Sequence, residues 1–178
     1  MPIAATVCFQ IILGVLYANL VEWCWHKYVF HGLGKKRRSL FRSHWNKHHK
    51  VVRRAGGTDE NYRHFKGLRK DPMQEVFELT LGAMLHIPLF FIFPYFAIAI
   101  WIHTAAYFYI HRRSHLDVRW AKKWVPWHYD HHMGRNQDAN WCVTFPFWDY
   151  IFNTRVYYLG TDDYTIDENR RYHRRSKQ

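Results

Sequence analysis

Apolar positions fall into two long blocks, separated and followed by polar, basic chain. The first block, Ile3 to Val21 (IAATVCFQIILGVLYANLV), carries no charge and approaches the ~20 apolar residues that cross a bilayer as a helix. Glu22 ends the uncharged run. WCWHKYVFHGLGKKRRS follows, with Gly32 and Gly34 placed to stop a helix. The second block, Val76 to Ile110, holds one charged residue, Glu78. As a single helix it would be about 50 Å long at ~1.5 Å per residue, too long for a ~30 Å hydrocarbon core. Pro88 and Pro94 therefore predict a break near its middle and a tight hairpin of short, incompletely crossing helices. Lys35 to Lys70 is polar and strongly basic, AGGTDE at Ala55–Glu60 reads as a loop, and the chain is basic from Arg112 onward. The expected fold is all-α. It is one integral-membrane helical domain over 1–178, with about three embedded helices in segments 3–25 and 76–110. Segments 26–75 and 111–178 form a cytosolic helical cap.

Composition refines this pattern. Hydrophobic residues make up 48% of the 178 and aromatics 19%, yet the formal charge is +12. Lys and Arg flank the apolar blocks, as the positive-inside rule describes, so the charge points to a membrane protein rather than a nucleic-acid binder. The basic segments after the first block and after the hairpin belong on one side. Three spans satisfy this, with the N-terminus outside and both basic segments in the cytosol. No basic stretch precedes the first apolar block, which argues for a retained helix over a signal peptide. Cys8, Cys24 and Cys142 are an odd count without CxxC spacing, which suits structural thiols in a reducing compartment. The tail RRYHRRSK reads as a solvated end.

Histidine changes the picture most. Of fourteen, ten fall into four clusters: His26 and His31; His44, His48 and His49; His111 and His115; His128, His131 and His132. Residues three or four apart share a helix face. That aligns His111 with His115, His44 with His48, and the members of the last cluster with one another. His49 is turned about 100° further round, and His26 and His31 stand about 140° apart on an ideal α-helix. All four clusters fall at the cytosolic surface. Neutral imidazole is a common transition-metal ligand, and crowding of like charges keeps imidazoles neutral. Ten ligands exceed one coordination sphere. Two ions with about five histidines each fit, and five nitrogen donors with an open position favour iron over zinc.

HX4H, HX3HH, HX3H and HX2HH in this order, with a hydrophobic hairpin between the second and third, resemble the fatty acid hydroxylase / sterol desaturase superfamily of integral-membrane di-metal enzymes. EWCWHKYVFHG at Glu22–Gly32 resembles its first box and YIHRRSH its HRxxH box. NWCVTFPFWDYIFNT at Asn140–Thr154 resembles its closing segment. The resemblance runs from Glu22 to about Thr154. Cys142 stands where the family often has glycine, and Tyr107 where some members carry a further histidine.

The resemblance implies two iron ions held by the ten clustered histidines, with zinc as a possible substitute. It implies dioxygen as co-substrate, and hydroxylation or desaturation of an unactivated C–H bond in a fatty-acyl, sterol or carotenoid lipid. Glu22, Asp130 and Asn140 would stand beside the ligands. The chain has no haem, flavin or ferredoxin motif, so an external donor of ferredoxin or cytochrome b5 type would supply electrons to the basic face. Substrate would enter from the membrane, along a path that Trp23, Trp25, Trp101, Tyr107 and Tyr109 could line; an interfacial aromatic belt has the same composition. His86 and His103 are polar residues within an apolar block. Two other readings share the ligands. A membrane zinc hydrolase would work without oxygen. A metal carrier would need ligands along the bilayer depth.

Overall fold

The computed structural model describes residues 2–65 and 72–176. Residues 66–71 of the basic segment lie outside them. The regular elements are all helices, with no strand among the described residues. Helix α1, Ile3–Cys24, continues into a π-helical stretch, Trp25–Leu33. A second π-helical stretch, His44–His48, runs into α2, His49–Arg54. After a 3-10 turn at Glu60–Arg63 come α3 (Met73–Met84), the single turn α4 (Ile87–Phe90) and α5 (Pro94–Leu116). Short helices α6 (Val118–Trp124), α7 (Pro126–Met133) and α8 (Phe147–Ile151) follow. Helix α9, Asp162–Arg175, is capped by the Thr161 side chain. Most of the basic tail is thus part of a helix.

α1 packs along α5. The buried face of α1 runs through Gly14, Ala18 and Glu22, and meets Ala97, Ala99, Ile100 and His103 of α5. Four-residue spacing puts these small residues in one stripe. The fit is close: a Cβ on Gly14 would lie 2.6 Å from the Phe96 carbonyl oxygen and 2.8 Å from the Ala99 Cβ. Phe9, Ile11, Ile12 and Leu13 on the other faces are exposed, as lipid-facing residues are.

The break predicted by the prolines is present: Pro88 opens α4 and Pro94 opens α5, where a missing N–H costs nothing. Among the described residues, one helix, Ile3–Leu33, is long and apolar enough to cross a membrane. α3, with 12 residues, is ~18 Å long, well short of a ~30 Å core. α5 has the length, but His103, Thr104, His111, Arg112 and Arg113 break its apolar run.

Candidate metal centre

The first histidine cluster lies on π-helix, and the second begins on it and ends at the first residue of α2. Hydrogen bonding from i to i+5, as from Gly34 N–H to the Val29 carbonyl at 2.9 Å, widens the turn and brings residues five apart onto one face. His26 and His31, which an α-helix would splay, therefore point the same way. The second cluster is divided for the same reason. His44 pairs with His49, five residues on, and His48 is left facing elsewhere. On α7, an ordinary α-helix, His128 and His132 share a face four residues apart, and His131, about 100° round from His132, turns to the first group.

The ten rings gather into two adjoining groups. In the first, one ring nitrogen each from His26, His31, His44, His49 and His131 lie within 4.8 Å of one another. In the second, the same holds for His48, His111, His115 and His132. His128 adjoins the second group, its Nε2 at 3.2 Å from that of His115. Within the first group Nε2–Nε2 separations are 3.1 Å for His26–His44 and His31–His49, and 3.2 Å for His49–His44 and His131–His49. His111 and His115 are 3.1 Å apart in the second.

In six of the rings the opposite edge tells which nitrogen carries the proton. His26 Nδ1 donates to the Trp141 carbonyl at 2.6 Å and His131 Nδ1 to that of Ala139 at 2.7 Å. His115 Nδ1 reaches the Gly57 carbonyl at 3.4 Å. His48, His111 and His31 donate Nδ1–H to Asp59 (3.2 Å), Glu75 (2.6 Å) and Asp138 (3.2 Å). Carbonyls and carboxylates only accept, so in each neutral ring Nε2 bears a lone pair. Lone pairs facing one another, as those of His111 and His115 do at 3.1 Å, repel unless a cation sits between them. Two nitrogens ~2.1 Å from a shared ion and about 95–100° apart would have this separation. The buried Nε2 atoms of His48 and His132 have no hydrogen-bond partner, which a metal bond would remedy. The donor set therefore fits a metal in each group.

Electrostatics agree. Burial, and then neighbouring imidazoles, hold His44, His49, His115, His128 and His132 well below the ordinary histidine range. Burial pushes His131 down to about 3. These six rings are neutral donors near pH 7.

Several supporting residues lie outside the histidine motifs. Asp59 caps the 3-10 turn and binds His48. Burial pushes its carboxyl up, but hydrogen bonds from His48 and Asn61 outweigh this and hold it below its usual range. Glu75 accepts from both His111 and the Tyr62 hydroxyl, the latter at 2.7 Å. Asp149 is fully buried and accepts from Trp141 N–H, Cys142 N–H and the Thr154 hydroxyl. It thus shapes the segment whose carbonyls bind His26 and His131. The signal for these acids was their rarity: Glu75 abuts the second apolar block, and Asp149 lies within the WDYIFNT motif.

Glu22, Asp130 and Asn140, expected beside the ligands, form their hydrogen bonds elsewhere. Glu22 accepts from Val143 N–H, Thr144 N–H and His103, joining α1 and α5 to the closing segment. Asp130 turns away from its histidine neighbours to Leu159 N–H and Arg155, both at 2.7 Å. Asn140, in the left-handed region at φ 58°, pairs with both backbone groups of Val156. The reason is geometric: an α7 residue between two ligands faces the opposite side of the helix.

Two spaces adjoin the histidines. A pocket of about 20 Å³, room for one water-sized molecule, is lined by His44 of the first group and by His48 and His111 of the second. Tyr62, Glu75 and Tyr107 also line it. An apolar cavity of about 290 Å³ lies between α1, α3 and α5, walled by residues such as Ala18, Val21, Leu79 and Ile100. Phe30, Phe41, Glu75, Glu78 and Tyr107 belong to both walls. The greasy space therefore abuts the histidine centre.

The model of the fatty acid hydroxylase family matches residues 11–154. No curated protein and no solved structure matches the chain.

Proposed function

The chain belongs to the fatty acid hydroxylase family, and from that premise we propose that it is a membrane-embedded oxidoreductase that hydroxylates or desaturates an unactivated C–H bond of a lipid. One observation carries this reading: two histidine groups with converging Nε2 atoms share walls with an apolar cavity. The size of that cavity, near the lower end for small-molecule sites, suits one acyl chain or one end of a larger lipid.

In this reading each histidine group holds an iron ion. His26, His31, His44, His49 and His131 hold the first; His48, His111, His115, His132 and His128 hold the second. The metals would supply the oxygen-activating chemistry that no side chain here provides. The chain's own contribution is placement and dryness. Nδ1 anchors set the tautomer and aim of each ring. Phe30 and Phe41 exclude water at the junction, and α1, α3 and α5 hold the chain of the substrate. Dioxygen is the co-substrate, and zinc could occupy the sites as a substitute.

Electrons would come from an acidic ferredoxin or cytochrome b5-type protein. The exposed turn Lys35–Arg38 supports this, because it lies beside the first group. Lys35 pairs with Asp138, which in turn holds His31. By the positive-inside rule this face is cytosolic.

The test is mass spectrometry of lipids from cells grown in air with and without the gene. A product heavier by one oxygen, or lighter by two hydrogens, names substrate and reaction. The His128→Ala protein should make none and should bind less iron. Unchanged lipids, or full turnover with zinc and without oxygen, would overturn the reading in favour of a hydrolase.

A further inference from the structure

We propose that the hydroxyl of Tyr107 donates a hydrogen bond to a small oxygen ligand or anion held in the pocket between the two histidine groups. This rests on the reading of the centre as a metal site. Tyr107 is 6% exposed, and its phenolic oxygen has no hydrogen-bond partner among the described residues. A buried tyrosine hydroxyl ordinarily finds one. The residue sits on α5 one turn before His111, with ring centroids 5.6 Å apart. It lines both the small pocket and the apolar cavity.

Other polar groups of the pocket, His44 Nδ1 apart, are committed. Glu75 accepts from His111 and Tyr62. The Ser43 hydroxyl donates to Gln74, whose amide nitrogen donates to Glu78. His48 and His111 spend Nδ1–H on Asp59 and Glu75, and their Nε2 edges belong to the metal. Tyr107 then carries the uncommitted hydroxyl on a pocket of about 20 Å³, a volume that admits one small molecule and little else. A phenol stays protonated near neutral pH, so it offers a hydrogen bond without adding charge. Its ring separates the small molecule from the lipid, and its hydroxyl holds that molecule in place.

The test uses the full-length, iron-loaded protein and azide as the probe. Azide is titrated into the parent and into Tyr107→Phe, and the iron–azide absorption band is followed. Phe keeps the ring and removes only the donor. A hydrogen bond to an anion is strong enough that the dissociation constant should rise about tenfold or more, with iron per chain unchanged. Equal azide affinity in parent and variant overturns the proposal. So does loss of iron from the variant, which would make the hydroxyl a structural support. Failure of azide to bind the iron-loaded parent overturns it as well. A parent that takes up no metal overturns the metal-centre reading with it, which separates the two failures.

Discussion

Replacing Asp149 by alanine probes the part of the fold that fixes the first histidine group from outside. The carboxylate is fully buried and accepts Trp141 N–H at 2.8 Å, Cys142 N–H at 2.9 Å and the Thr154 hydroxyl at 2.7 Å. Thr154 in turn accepts the indole N–H of Trp23 on α1. Alanine strands the two backbone amides where water does not reach. Each buried group left unsatisfied costs ~1–3 kcal/mol, so the amides alone set a loss of about 2–6 kcal/mol. The hydroxyl can rotate and is left out of that sum. Against a typical folding stability of ~5–15 kcal/mol this is a large fraction. The residual segment should also lose its shape. Trp141 then no longer holds His26 through its carbonyl, and Ala139 no longer holds His131. The expected result is a lower thermal midpoint in detergent, followed by tryptophan fluorescence, and loss of about half the bound metal. Asp149→Asn should fall between, since its amide keeps one acceptor but turns an N–H towards a backbone donor. An alanine variant that melts with the parent and retains full metal would refute the reasoning.

Glu75→Gln should weaken metal binding at the second group by ~10–100-fold, because the carboxylate that accepts His111 Nδ1–H and orients its ring is lost; competition with a chelator reads this, and equal loss from both groups would contradict it. Acid should unfold the metal-free protein cooperatively. His44, His49, His115, His128, His131 and His132 have folded values below 6.5, so their contribution is present above 6.5 and is lost as pH falls towards the folded values, about 3 for His131. Each contributes a slope of ~1.4 kcal/mol per pH unit in that window, and a pH titration of stability that stays flat between 6.5 and 5 would be inconsistent with neutral buried rings. Gly14→Ala should cost ~1–3 kcal/mol by overpacking α1 against the Phe96 backbone; a thermal midpoint equal to the parent's would show that the helices can part freely.

What could be read from the sequence follows from range. The spacing of ligands within a cluster is local, so residues on one helix announce themselves: His111 with His115, and His128 with His132. The break in the second apolar block was legible at Pro88 and Pro94 because proline acts on its own turn. The partition of the second cluster was not. Whether His44 joins His48 or His49 depends on whether the backbone bonds i to i+4 or i to i+5, and no residue type encodes that choice. Cavities and packing around the histidines select it, since only the wider turn presents both His26 with His31 and His44 with His49 to one point. The anchoring acids were hidden for a different reason. Asp59 is 11 residues from His48, and Glu75 is 36 from His111, so no spacing rule links acid to ring. Conversely, Glu22 and Asp130 looked like partners because they are near ligands in sequence. Their helices turned both away: the closing segment took Glu22, and Arg155 and Leu159 beyond it took Asp130. Nearness in sequence predicts which residues share a helix face; which acid faces which ring is decided by packing between helices. That is why Tyr107, one helical turn before His111, was visible as a position of interest while its open hydroxyl was not: the missing partner is a property of the pocket, assembled from α3, α5 and both π-helical stretches.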